Sequence, residues 1–203
     1  PVPLTGTLSL HGPGDGALIF SEALHLSGTA TDLPPDGFLL RVTAAEKPPL
    51  AQMVVRPQDE AWSFDLLLDR PDEPTEVTIT ALSVDARTGG EFDTMSAVLS
   101  PLANRPDGAY GTITAPMADD VVGGDVIEVS GRISGLPDQT LWVMLRDGAA
   151  VIAEVPLTLA HPYALDEVPW QLDLPTGGVS GPVTLVLAYA LPDDDQRITL
   201  HEV

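Results

Sequence analysis

Cysteine is absent from the 203-residue chain. This absence excludes disulfide bonds, thiolate metal sites and cysteine nucleophiles. It does not indicate an unstable protein, because a domain of about 100 residues removes roughly two-thirds of its unfolded surface from water and can fold on its core alone. The absence does not indicate a cellular compartment either.

Basic residues are scarce. Nine Lys and Arg stand against 30 Asp and Glu, which gives a formal net charge of −21. Such a surface repels nucleic-acid phosphates and anionic lipids, so we expect neither as a partner. The acidity itself has two explanations, which are solubility and the binding of calcium by loop carboxylates.

Long apolar runs and helical periodicity are also missing. No stretch approaches the roughly 20 apolar residues that cross a bilayer, and no signal peptide is present, so we expect no membrane insertion by this chain. Because residue 1 is proline rather than methionine, we expect a processed or trimmed chain. Proline is frequent, and apolar residues do not recur every three to four positions, so no helix is predicted.

One pattern occurs twice in the chain. Leu24–Gly28 reads Leu-His-Leu-Ser-Gly, and 126–131 reads Val-Ile-Glu-Val-Ser-Gly, so that Gly131 follows Gly28 by 103 residues. Trp-x-Phe-x-Leu at 62–66 returns as Trp-x-Leu-x-Leu at 170–174. In these runs apolar and polar residues alternate, which is typical of strands with one buried face.

Turn residues separate the alternating runs and predict about seven short strands in each copy. The predicted strands are 5–10 with a short extension at 17–20, 24–30, 38–44, 53–55, 62–68, 76–84 and 94–99, then 111–115, 126–133, 141–146, 150–155, 170–174, 183–190 and 198–203. Asp147-Gly148 predicts a hairpin. We therefore predict an all-β protein of two tandem immunoglobulin-like β-sandwiches, 1–100 and 109–203, joined by a Pro-containing linker at 101–108.

The pattern resembles the bacterial immunoglobulin-like domains, and among them those associated with spore germination and other cell-surface proteins. The residues that carry the resemblance are the Gly-Thr strand starts, the Asp/Gly turn before 126–131, the Trp-x-Leu-x-Leu strand at 170–174 and Val-Thr-Leu-Val-Leu at 183–187. The resemblance covers nearly the whole chain, twice. It implies an extracytoplasmic, non-catalytic module and carries over no site residues.

The sequence predicts no catalytic, cofactor-binding or metal-binding residues. The four histidines, His11, His25, His161 and His201, lack the spacing of metal ligands, and His25 and His201 are expected to face solvent. Gly177–Gly181 lacks the spacing of a serine-nucleophile elbow and is predicted to be a hairpin loop. The calcium alternative rests on carboxylates in predicted loops: Asp119, Asp120, Asp125, 193–195 and, near the linker, Asp107.

Aromatic residues make up only 5% of the chain. Trp62 and Trp170 occupy matching positions on apolar strand faces and are predicted to lie in the core, while Trp142 is predicted in a central strand. Tyr110 and Tyr163 are therefore the aromatics expected to be exposed, and they are few for a sugar-binding platform.

Together these features predict a non-enzymatic module of a bacterial cell-surface or secreted protein, acting as a spacer or protein-binding unit. The alternative is a module that binds carbohydrate or cell wall, stiffened by calcium. A protein partner is expected at an edge strand, with 94–99 and 198–203 as candidates if they lie at edges.

Overall fold

A computed structural model describes residues 6–45, 48–69, 71–84, 90–105, 107–191 and 194–203. The chain divides into two compact units, Pro1–Arg105 and Pro106–Val203. Strands dominate both units, which confirms the predicted all-β fold of immunoglobulin-like sandwiches. Within the described residues, no helix is long and apolar enough to cross a membrane.

The first unit contains eight described strands. They are β1 (Thr7–Gly12), β2 (Ala17–Ile19), β3 (Ala23–Thr31), β4 (Phe38–Ala44), β5 (Ala51–Val55), β6 (Ala61–Leu67), β7 (Thr75–Ser83) and β8 (Glu91–Leu99), followed by a 3-10 turn at Leu102–Asn104. One sheet has the order β1-β3-β6 and the other β2-β8-β7-β4-β5. All pairs are antiparallel except β2 with β8, which run parallel.

The second unit contains seven described strands. They are β9 (Tyr110–Ala115), β10 (Val126–Ser134), β11 (Thr140–Asp147), β12 (Ala150–Thr158), β13 (Val168–Pro175), β14 (Thr184–Leu191) and β15 (Asp194–Glu202). One sheet has the order β13-β10-β9 and the other β12-β11-β14-β15. The strand order repeats that of the first unit, except that no described strand takes the place of β2.

Alternating apolar residues build the core, as the sequence predicts. In β4, Phe38, Leu40, Val42 and Ala44 are buried while the residues between them are half-buried. In β3, the predicted face of Leu24, Leu26 and Gly28 is the buried one. The ring of Phe38 lies 5.3 Å from that of Trp62 on the opposite sheet, so aromatic side chains join the two layers of the first unit.

The repeated glycines lie under the repeated tryptophans. Gly28 is directly opposite Trp62 in the β3–β6 pair, and Gly131 is opposite Trp170 in the β10–β13 pair. A Cβ at Gly131 would lie 2.6 Å from Cζ2 of Trp170 and against the carbonyl oxygen of Thr112. Both tryptophans are buried, which confirms their predicted core positions, and only glycine leaves room for the ring.

The structure corrects three details of the sequence prediction. The hairpin after β11 has Gly148 and Ala149 at its centre, because Asp147 still pairs with Ala150. Gly177–Gly181 is not a hairpin loop, since it joins β13 to β14 in a different sheet. The strand at 94–99 is not at an edge, because β2 covers β8.

Candidate interaction surface

The segment that follows β9 has a counterpart in the first unit. When Gly28 is matched with Gly131, residues 17–19 match 120–122 without a gap. The first strand of each unit is followed by a cis X–Pro bond at the same repeat position, Gly12–Pro13 and Ala115–Pro116. The first unit therefore shows what a strand in this place looks like when it is docked.

In the first unit that strand is β2, and apolar burial fixes it. Ala17, Ile19 and Phe20 are 0%, 3% and 1% exposed. The backbone N–H of Gly16 donates to the carbonyl oxygen of Ser96 at 2.9 Å, and Ser100 donates to Ile19 at 2.9 Å. The edge of β8 is thus closed by a short apolar strand.

A carboxylate completes the attachment of β2. Oδ1 of Asp15 accepts hydrogen bonds from the backbone N–H and the hydroxyl of Ser96, each at 2.8 Å. Because the backbone bond from Ser96, and then its hydroxyl, favour the charged form, the pKa of Asp15 is held below its usual value.

In the second unit the same segment is not docked. Val121 is 100% exposed, Met117 is 70% exposed and Val122 is 43% exposed. The buried Ala17 and Phe20 are replaced at the matching positions by Asp120 and Gly123. A carboxylate and a residue without a side chain cannot provide the apolar burial that Ala17 and Phe20 give in the first unit.

A local turn begins this exposed segment, and hydrogen bonds to Thr176 hold its other end. The backbone N–H of Met117 donates to Oδ2 of Asp120 at 2.7 Å, and that of Asp120 donates to the carbonyl of Met117 at 3.2 Å. At the other end, the buried Thr176 donates from its backbone to Asp125 at 2.9 Å and from its hydroxyl to Gly124 at 3.1 Å. Residues 121–123 therefore form a short exposed strap between a local turn and an end that is held by Thr176.

The last residues of the second unit match the middle of β8 in the first unit. Val203 exchanges two backbone hydrogen bonds with Leu185, as Met95 pairs with Ile79 in the first unit. In the first unit β8 continues through Ala97–Leu99, which pair with β2. We refer to residues 117–125 as the strap surface.

Only one of the two strands that the sequence offered as edge candidates lies at the edge of a sheet. β15 lies at the edge of its sheet, whereas β8 does not. His201 does not simply face solvent as expected: it is opposite the core residue Leu187, and its Nδ1 accepts the backbone N–H of Ile113 at 3.1 Å. Asp93 makes the equivalent bond to Leu10 in the first unit, at 2.7 Å.

Two other histidines pair with carboxylates of neighbouring elements and stabilise the fold. His25 lies 2.8 Å from Asp65 on the facing strand, and its side chain is 15% exposed, less than expected. His161 lies 2.8 Å from Asp166, and these two side chains are 7% and 0% exposed. This second pair was not predicted from the sequence, because polar residues in a Pro-containing loop are ordinarily solvated.

Further hydrogen bonds tie the loop after β12 to β10 and its turn. The hydroxyl of Ser134 donates to the carbonyl of Leu165 at 3.0 Å, and the backbone N–H of Gly135 donates to Ala164 at 2.6 Å. Arg132 is paired with Glu167 in the same region. These contacts close the end of the second sandwich and leave His161 inside it. We therefore assign a structural role to His161 and Asp166.

The outer face of the four-stranded sheet carries the remaining aromatic feature. Trp142 lies in β11 between β12 and β14, as predicted for a central strand. The guanidinium carbon of Arg197 lies 3.6 Å from the centre of its ring, and Nη2 of Arg197 donates to Oε1 of Glu154 at 2.8 Å. One face of the indole is therefore already covered by a cation.

Where the structure describes the candidate calcium ligands, they do not form a cluster. Within that part of the chain, no three His, Asp or Glu side chains are grouped as a metal site. Asp120 caps the strap and Asp119 adopts a left-handed backbone with φ +68°. Asp193 lies outside the described residues, as do the side chains of its two neighbours in 193–195.

No protein-family model and no curated protein matches the chain. Among solved structures it is similar to Escherichia coli alpha-2-macroglobulin activated by porcine elastase, with 18% identity over 96% of this chain and a TM-score of 0.39. It is also similar to the BSP domain of a biofilm associated protein, with 15% identity over 97% and a TM-score of 0.34. A Salmonella alpha-2-macroglobulin mutant gives 16% identity over 98% and a TM-score of 0.37.

The chain spans only 19%, 29% and 14% of the lengths of these three structures, respectively. All three TM-scores are below 0.5, and the identities are low. The similarities therefore assign no activity, ligand or partner to this chain, and its function has to be argued from its own residues.

Proposed function

We propose that the chain is a non-catalytic module of a bacterial cell-surface or secreted protein, in which it acts as a spacer and protein-binding unit. Two units, 1–100 and 109–203 with 101–108 as the linker, would supply the spacer. The resemblance to bacterial immunoglobulin-like domains, and within them to the spore-germination group, supports the location outside the cytoplasm.

The exposed strap is the single observation that carries the protein-binding role. Side chains of Met117, Val121 and Val122 lie on the surface of a protein whose formal charge is −21. Exposed apolar residues next to each other on a soluble domain mark interaction sites more often than scattered ones do. The turn at Met117–Asp120 and the hydrogen bonds from Thr176 reduce the chain ordering that binding would require there.

Site-specific photocrosslinking tests the protein-binding role. A photoreactive phenylalanine analogue is placed at position 121 and, as a matched control, at position 151, where Val151 is 49% exposed in β12. We expect discrete protein adducts from bacterial surface and secreted fractions at position 121 and none at position 151. Equal labelling at both positions, or no adduct at either, would overturn this role.

Carbohydrate binding is the second candidate, and it rests on Tyr110, which is 41% exposed. Tyr163 supports it less, because it is half-buried and its ring meets that of His161 edge-on at 5.9 Å. Co-sedimentation with isolated cell walls and insoluble polysaccharides separates the two functions. Saturable retention that a soluble glycan competes and that Tyr110→Ala removes would replace the protein-binding proposal.

Calcium stiffening belongs to the same alternative, and thermal unfolding tests it. Binding to the folded state alone raises the melting temperature with free calcium concentration. We expect the same melting temperature in excess calcium and in chelator. A rise that Asp125→Asn abolishes would establish a cation site and contradict this expectation.

A further inference from the structure

We propose that the outer edge of β5, in the first unit, is a second protein-binding site. It pairs with an extended segment of another protein that carries an acidic residue before a strand-forming stretch. In the part of the chain that the structure describes, β5 ends its sheet, because the order is β2-β8-β7-β4-β5. Leu50, Met53 and Val54 are 43%, 38% and 40% exposed at this edge. The site is separate from the strap surface and goes beyond the function proposed above.

The second unit shows how the same edge looks when it is protected against pairing. β12 is the counterpart of β5, since they pair with the matching strands β11 and β4. When β4 and β11 are matched by the spacing of 103 residues, Glu154 stands at the place of Gln52 and Pro156 at the place of Val54. Charged residues and prolines are common means of protecting an edge strand. β5 reads Ala-Gln-Met-Val-Val and contains neither.

Pro156 also indicates which backbone groups of β5 face outward. Proline in an edge strand lies where its nitrogen points away from the neighbouring strand, because it has no N–H to donate. The match therefore directs the backbone N–H of Val54 to the outer edge. In an antiparallel pair alternate residues direct their backbone groups to the same side, so those of Gln52 face outward as well. Both residues can thus form a ladder with an added strand.

The charge beside this edge favours an acidic partner. Although the net charge of the chain is −21, neither Asp nor Glu stands between Glu46 and Asp59. Arg56 directly follows β5 and is exposed. Asp32 and Asp59 line the same hollow, yet no described carboxylate forms an ion pair with Arg56. Its guanidinium group is therefore available to a carboxylate of a partner.

A second arginine lies on the neighbouring strand. Nε of Arg41 in β4 donates to Oε1 of Gln52 at 3.2 Å, so this side chain also reaches β5 without meeting a carboxylate there. Two cations next to an uncharged edge attract an acidic segment and repel a basic one.

The position of Arg56 sets the order of residues in the partner. Strand pairs in this unit are antiparallel except for β2 with β8, so we take the added strand as antiparallel. The residue opposite Arg56 then precedes those opposite Val54 and Gln52. The partner therefore reads acidic residue first, followed by a strand with an apolar side chain beside Met53. A second copy of β5 does not fit, because residues 47–58 contain no carboxylate.

Titration of the intact chain with a synthetic peptide tests the proposal. The probe has the sequence of residues 76–81, Glu-Val-Thr-Ile-Thr-Ala, with both ends blocked. Saturable changes of backbone amide NMR signals are expected at 51–56 and 38–42 and not at β12. Replacing the first residue of the peptide by glutamine should weaken binding roughly threefold. Replacing its third residue, which faces Val54, by proline should abolish binding, because proline lacks the N–H that a paired strand donates.

Variants of the protein test the edge itself. Val54→Pro should weaken binding roughly tenfold, because it removes the outward N–H, and Pro156 shows that proline fits at the matching place. Val54→Thr keeps the N–H and a strand-forming shape, so it should change binding by less than about twofold. Arg56→Gln should weaken binding of the original peptide roughly threefold and leave binding of the glutamine peptide unchanged. Melting curves check that each variant remains folded.

Several results would overturn the proposal. They are no binding up to millimolar peptide, signal changes confined to other strands, and binding that Val54→Pro leaves unchanged. If Val54→Pro does not fold, the proline peptide and Arg56→Gln decide in its place. Sedimentation of the chain alone is a further check, because a dimer that Val54→Pro abolishes would make a second copy the occupant. Crosslinking at position 121 reports on the strap surface alone, so either site can fail while the other stands.

Discussion

Replacing Gly131 by alanine tests the central packing contact of the second unit. The added methyl group would lie 2.6 Å from Cζ2 of Trp170 and against the carbonyl oxygen of Thr112. The indole is 4% exposed, and the carbonyl belongs to the paired strand β9. Overpacking of this kind costs about 1–3 kcal/mol. We expect the upper part of that range, because the backbone has to move as well as the ring.

For a unit of about 100 residues, each kcal/mol lowers the melting temperature by about 4–8 °C. Calorimetry of the intact chain measures this shift, and hydrogen exchange shows which unit loses protection. Protection should fall in β9, β10 and β13, and the strands of the first unit should keep theirs. Gly28→Ala, against Trp62, should produce the converse pattern.

Gly123→Ala is the matched control for this experiment. A Cβ at Gly123 would meet nothing within 4 Å, and its backbone does not require glycine. We expect its stability to lie within about 0.5 kcal/mol of the unchanged protein. The reasoning is refuted if Gly131→Ala is equally harmless, or if both substitutions destabilise the second unit by the same amount.

Three further substitutions test the contacts that distinguish the units. Phe20→Ala should destabilise the first unit by about 3–5 kcal/mol and speed hydrogen exchange in β8, because the side chain is 1% exposed and holds β2. Asp15→Asn should lower the urea midpoint slightly at about pH 7, and this difference should shrink as the pH falls. The pKa of Asp15 is lowered in the fold, so its stabilisation exists above the ordinary pKa and is lost as the pH falls through the folded value. Arg197→Ala should cost about 0.5–1 kcal/mol and alter Trp142 fluorescence, because it removes the cation over the ring. An unchanged exchange rate, midpoint or emission spectrum would contradict the respective assignment.

Much of the strand structure could be predicted from the sequence, because the two faces of each strand meet different environments. Phe38–Ala44 is predicted with its observed bounds, since four apolar residues alternate between turn-forming segments. The repeated glycines and tryptophans show which residues of the first unit match which residues of the second. These features depend on residues near in sequence or on the repeat, both of which are visible in the chain.

The pairing of β2 could not be predicted in the same way. Ala17–Ile19 has three residues and pairs in parallel with a strand about 80 residues later, and no turn connects the two. The sequence therefore left β8 as a candidate edge. The buried pair of His161 and Asp166 was missed for a related reason, because burial of a polar loop depends on packing against β10 rather than on local composition.

One signal for the strap is nevertheless present in the sequence. At a constant spacing of 103 residues, Ala17 and Phe20 are matched by Asp120 and Gly123. The second copy thus lacks two apolar residues of this stretch, whereas Val121 and Val122 stand at the positions of Leu18 and Ile19. The difference is visible residue by residue, and it removes part of the apolar burial that holds β2.

The two units differ in the segment that follows their first strand. An exposed strand edge invites pairing with other chains, and proteins commonly cover such edges or place charges beside them. The first unit covers the edge of β8 with β2. In the second unit the matching segment is exposed and carries Asp119, Asp120 and Asp125. Two copies of this chain that met at this segment would bring these carboxylates together, so the charge disfavours self-association there.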